Sequence, residues 1–135
     1  MSKIDFAVLQ PENWAAPKGY ANGIAAQGRQ IFIAGQIGWD AQGKLMSGDF
    51  VAQVEQALAN IVQVLAQAGA EPRHIVRLTW YLTDRAEYLA RQKEIGAAYR
   101  RTIGRHFPAM SAVVVAGLIE DGAKVEIEAT AVIPT

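Results

Sequence analysis

The sequence contains no cysteine. That excludes disulfide frameworks, thiolate zinc sites, iron–sulfur clusters and cysteine nucleophiles, and it is compatible with a reducing compartment. Charge of one sign is not in excess either, because 13 Lys and Arg balance 13 Asp and Glu. With no net field to draw the chain to nucleic acid, an anionic membrane or a polyanionic substrate, its partners are expected to be small molecules or protein. No apolar run approaches the roughly 20 residues that a membrane-spanning helix requires. The start, Met1-Ser2-Lys3-Ile4-Asp5-Phe6, lacks the apolar stretch of a signal peptide, so the expected location is cytoplasmic.

Familiar catalytic and cofactor patterns are missing too. His74 and His106 are the only histidines and lack H-x-x-x-H spacing, so no metal is expected. Ser2, Ser47 and Ser111 lie in no G-x-S-x-G context. Gly35-Gln36-Ile37-Gly38 lacks the G-x-G-x-x-G spacing and there is no lysine-bearing P-loop, so no nucleotide or other cofactor is expected. Arg100, Arg101 and Arg105 read as the solvated, dipole-complementing end of a helix.

What is present is an ordinary globular composition, 51% apolar and 19% charged over 135 residues, with no repeat or linker. Residues 1–135 therefore read as one domain, large enough for a core that needs no staple. Pro11, Pro17, Gly19 and Gly23 mark an irregular leader. Ile24 to Ala26, the turn signal Gln27-Gly28 and Gln30 to Gly35 read as a hairpin. From Phe50, apolar positions 54, 57, 58, 61, 62, 65 and 68 recur at helical spacing, with Ser47 or Asp49 as N-cap and Gly69 just past the end.

His74 to Thr83 alternates, with Val76, Leu78, Trp80 and Leu82 on one face and Arg77, Thr79, Tyr81 and Thr83 on the other. Asp84 caps a second helix running to about Ile103, with Glu87 in capping-box register. Ser111 to Ala116 is continuously apolar, and Lys124 to Ile133 alternates again. The order is β-β-α-β-α-β-β, an α+β domain with two helices on one face of a mixed sheet. Two helices cannot cover both faces. Ile31 to Ile37 and Ala112 to Ala116 nevertheless read as buried on both sides, so the open face is expected to meet another copy of the chain.

Glu126 and Glu128 share the polar side of the last strand and so point toward that inferred interface. Each is a rim residue or inter-subunit ion-pair partner, or else a partly buried carboxylate with a raised pKa, able to orient or deprotonate water.

Phe107-Pro108-Ala109-Met110-Ser111-Ala112-Val113, Gly117-Leu118 and Val125-Glu126-Ile127-Glu128-Ala129 are similar to the C-terminal signature of the RidA/YjgF family. Gly19-Tyr20, Ala34-Gly35-Gln36-Ile37, Gln56 to Ile61 and Tyr81-Leu82-Thr83-Asp84 resemble the same family in the same order. The resemblance spans essentially the whole chain. It implies a Bacillus-chorismate-mutase-like fold, a homotrimer with ligand clefts between subunits, and cofactor-independent hydrolysis of reactive imines or enamines. Other members are linked to ribonuclease or translation-inhibiting activity.

Tyr20, Gly35, Phe107 and Glu128 match the family's site, and the resemblance gives Glu128 the role of positioning water, with Tyr20 assisting. Where the family has a carboxylate-binding arginine this chain has Met110, and Ala112 replaces a cysteine. Losing a buried charged partner costs roughly 2–5 kcal/mol, so small imino acids are expected to be poor substrates. Arg105 is a candidate substitute for the missing cation, and Trp39 a candidate aromatic wall. Met110 makes the cleft more apolar and favours a neutral or aromatic ligand. The first reading is thus an imine or enamine deaminase of altered specificity, and the second a non-catalytic ligand-binding or regulatory homotrimer. A ribonuclease ranks third, for want of a basic stripe or an evident histidine pair.

Overall fold

The computed structural model describes residues 6–135; Met1 to Asp5, and with them Ser2 and the start of the stretch read for a leader signal, lie outside the described residues. Ten short elements follow one another. They are β1 (Ala7–Leu9), β2 (Gly23–Ala25), β3 (Arg29–Gln36), α1 (Phe50–Gln67), a 3-10 turn (Pro72–His74), β4 (Ile75–Leu82), α2 (Arg85–Ala90), α3 (Gln92–Thr102), β5 (Ala109–Val114) and β6 (Val125–Ile133). Strands β3, β6, β4 and β5 form a mixed sheet in that order, with β4 and β5 parallel and the other pairs antiparallel.

The helix from Phe50 forms as its spacing predicts. Asp49, one of the two candidate caps, accepts a hydrogen bond from Ala52 N at 2.9 Å, and Gly69 follows the helix at φ +72°. Its apolar stripe buries Val54, Ala57, Leu58, Ile61 and Leu65 completely against the sheet. Burying each large side chain stabilises the fold by about 1.5–3 kcal/mol. Gln53 is a buried polar member of the same helix. Its amide donates to Ser47 O and Gly122 O and accepts from Lys124 N, which locks the start of α1 to the entrance of β6.

Three sequence expectations need correction. The leader is not wholly irregular: β1 pairs antiparallel with β2, Leu9 packing on Gly23, where a Cβ would lie 3.3 Å from the leucine side chain. The expected hairpin is absent, because β3 pairs with β6. Gly28, at φ +150°, passes so close to the Ile133 backbone that no side chain fits, and this crossing delivers β3 to the end of β6. The second helix divides at Arg91 (φ −114°, ψ 22°) into α2 and α3. The Arg91 guanidinium spans the break, pairing with Glu94 at 2.6 Å and with Asp49 at 3.5 Å.

The alternation of β4 holds from Leu78 to Leu82. Nearer its start, a register shift between Ile75 and Arg77 buries Ile75 in place of Val76. β6 buries Val125, Ile127, Ala129 and Ala131 on the helix side and leaves Glu126, Glu128 and Thr130 half-buried on the other. β5 is the parallel edge strand, and Ser111 to Val114 are exposed in the single chain rather than buried on both sides. No helix among the described residues is long and apolar enough to cross a membrane.

Candidate functional site

The sheet divides the expected site residues into two groups. On the helix side, a cleft of about 510 Å3 is lined by Tyr20, Phe107 and Met110 together with Trp80, Tyr88 and Tyr99. Tyr20 reaches it because the leader is stitched to the β5 edge: Ala21 N donates to Pro108 O at 3.0 Å, and Ala21 bridges to Ala109. Phe107 is held there by Tyr99. The rings stack at 5.7 Å, and the Tyr99 hydroxyl donates to His106 O at 2.5 Å. Burial pushes the Tyr99 phenol well above its ordinary pKa, so it serves as a fixed donor. Met110 sits in register with Leu78, half-buried, and presents an apolar side chain to the cleft.

On the open face lie Gly35, Glu126, Glu128 and Tyr81. The Tyr81 hydroxyl donates to Glu128 Oε1 at 2.7 Å, and this bond raises the Tyr81 pKa above its usual 10.0. Phe32, Arg77 and Thr79 share a shallow crevice of about 230 Å3 with Glu128. Between Ile33 and Gln36 the register slips, so that Ala34 and Gly35 together oppose Glu128 on β6. A Cβ on Gly35 would lie 2.6 Å from Glu126 Cδ, so the Glu126 side chain lies directly over the glycine and would have to shift for any larger residue. The resemblance pointed to Glu128 as the water-positioning group; in the structure it is the Glu126 side chain that lies over Gly35.

Two expected contacts fall elsewhere. Arg105 is exposed in the loop before β5 and lines neither the cleft nor the crevice; the cations lining the cleft are Arg100 and Lys18. Trp39 packs on its own turn, its Nε1 donating to Gln36 Oε1 at 3.2 Å, while Asn60 Nδ2 of α1 donates to Ile37 O and Trp39 O. Sequence reading set Trp80 on one face of its strand and Arg100 at a solvated helix end, gave neither a place in the site, and did not single out Tyr88 or Gln92. A signal was available in their spacing: positions 88, 92, 95–96 and 99–100 recur at helical period and form the cleft wall. Among the described residues no group of three acidic or histidine side chains converges as a metal site.

Within one chain, then, an aromatic cleft without a carboxylate lies on one side of the sheet and a pair of carboxylates on the other. Known proteins share this fold and are similar in sequence. The protein-family model described as Endoribonuclease L-PSP matches residues 11–133. Goat 2-iminobutanoate/2-iminopropanoate deaminase is 39% identical over 105 residues, 77% of this chain and 73% of that protein. The crystal structure of the Rid-family protein YyfB from Yersinia pestis superposes with a TM-score of 0.85 at 34% identity, covering 96% of this chain and all of that one. E. coli TdcF, solved with bound serine, matches at TM-score 0.66 and 31% identity, covering 87% and 91%. The chain belongs to the RidA/YjgF family.

Proposed function

We propose that this protein is a cofactor-independent imine or enamine hydrolase that works as a homotrimer, the cleft of one subunit being closed by Gly35 and the two glutamates of its neighbour. The observation that carries this reading is the division just described: a ligand cleft and a carboxylate pair, each incomplete, on opposite sides of one sheet. The exposed apolar residues Phe32 and Val113 of the open face supply the adhesive surface for a second copy. Several relatives named as 2-iminobutanoate/2-iminopropanoate deaminases support the reaction class.

In this reading water adds to the electrophilic imine carbon, the nitrogen gains a proton, and the resulting carbinolamine releases ammonia to leave a carbonyl product. Glu126, over Gly35, accepts a hydrogen bond from the attacking water. Glu128, one oxygen of which is occupied by Tyr81, supports it from behind, and Tyr20 assists proton transfer to nitrogen. Met110 leaves no cation at the strand position where the resemblance places one, so substrates held there by a carboxylate are disfavoured. The test is ammonia release from 2-aminoacrylate generated in situ and from imines without a carboxylate. The proposal expects faster turnover of the second group, and no turnover of either group by the intact oligomer would refute it in favour of a ligand-binding role.

A further inference from the structure

We infer that Arg100 is a specificity-determining residue, receiving the acid group of an aryl-bearing substrate from the helix side of the cleft. The inference rests on the hydrolase reading for its reaction but not for its binding geometry.

Four observations converge. Five aromatic side chains, Tyr20, Trp80, Tyr88, Tyr99 and Phe107, line the cleft, and its volume of about 510 Å3 accommodates a six-membered ring with a short side chain. Tyr20 and Phe107 are 40% and 44% exposed, so their surfaces are open to a ring stacked on them. Gly96 lies inside α3, where glycine is an unfavourable helix residue, and the only group near its missing side chain is Arg100 Nη1, 3.6 Å from the Cβ position. Arg100 therefore folds back along the cleft wall over the gap that Gly96 leaves. Among the described residues Arg100 has no ion pair, whereas Arg101 is bound to Glu55 at 2.7 Å and Arg91 to Glu94.

Trp80 is 3% exposed, and its Nε1 is a buried donor with no partner. With no accessible surface, that donor is not offered to a ligand, and recognition rests on the aromatic walls and Arg100. A ring against Tyr20 and Phe107 and an anion on Arg100 together describe an aryl acid, which in the hydrolase reading is an aryl imino acid. Its carboxylate would enter from α3, where Arg100 offers the planar fork that pairs with carboxylates. A small imino acid has no ring to place against Tyr20 and Phe107.

Calorimetric titration of the intact protein with three non-hydrolysable product-like probes tests this. Phenylpyruvate carries ring and carboxylate, phenylacetone the ring alone, and 2-oxobutanoate the carboxylate alone. The expected result is phenylpyruvate binding about tenfold or more tighter than either of the others, with added salt weakening it and not phenylacetone. Arg100→Gln should bring phenylpyruvate down to the level of phenylacetone and leave phenylacetone unchanged, while Arg101→Gln should change neither. Equal phenylpyruvate affinity in wild type and Arg100→Gln would overturn the assignment, as would a parallel loss for both ring probes. Because none of these probes turns over, absence of hydrolysis leaves the binding result standing, and hydrolysis that ignores Arg100 removes this inference alone.

Discussion

The two faces of the sheet are made by the same four strands, residue by alternate residue, yet they have opposite characters. On the helix face Leu78, Ile127 and Val125 meet α1 and α3 and are fully buried in the single chain. On the other face Phe32 is 73% exposed and Val113 45%, while Glu126 and Glu128 sit half-buried among them. The first face is covered within the single chain; the second leaves apolar surface and carboxylates uncovered by it. The stability of one subunit therefore resides on one side of the sheet, and in the proposed enzyme the chemistry resides on the other.

The sharpest test of this division is at the carboxylates. Glu126→Gln should lower kcat by about 10²–10⁴-fold with the oligomer intact, the usual contribution of a positioned base, and Glu128→Gln should lower it less. The reverse ranking in steady-state kinetics would return the water to Glu128. The corresponding test of the covered face is Leu58→Ala. It should cost about 2–5 kcal/mol of stability in a denaturant melt, through a cavity between α1 and the sheet, and leave the ligand affinity of the folded protein near wild type.

A smaller effect is expected at the cleft itself. Met110→Arg should raise kcat/KM for small imino acids by about tenfold or more, the value of a charge-assisted hydrogen bond, without a comparable gain for imines lacking a carboxylate. Equal gains for both would mean that the arginine acts through packing.

The smallest expected effect concerns a residue remote from both faces. His74 is buried, its Nδ1 accepts a hydrogen bond from Glu71 N at 2.9 Å, and burial lowers its pKa below the ordinary 6.5. The unfolded chain therefore takes up the proton first. The stability His74 contributes is complete above pH 6.5 and falls as the pH drops from there toward its depressed folded value. His74→Asn, whose side-chain oxygen can still accept from Glu71 N, should flatten this part of the stability–pH curve in thermal melts.

Much of the covered face was legible in the sequence. The stripe from Val54 to Leu65, the Asp49 and Asp84 caps and the alternation of β6 are local signals, and local signals are what periodicity reads. The site was legible only in part. Tyr20, Phe107 and Met110 were named from the resemblance and do line one cleft, but that they lie apart from Gly35 and Glu128 follows from which face each strand position takes. The Ala34–Gly35 bulge and the Glu126 side chain over Gly35 leave no mark in composition or period. The β1–β2 pairing was hidden because three-residue strands among prolines and glycines have no measurable period, and the Gln27-Gly28 signal was real but served a crossing rather than a hairpin. Arg105 was offered as a substitute only for its nearness in sequence to Met110, whereas Arg100, at the end of α3, is the arginine that lines the cleft.

The central claim is that the cleft on one side of the sheet and the carboxylates on the other become one site only through a second copy. Light scattering on the purified chain at micromolar concentration tests it most directly. The account predicts a mass three times the 14.6 kDa of the chain. A stable 14.6 kDa monomer that still hydrolyses imines would contradict it.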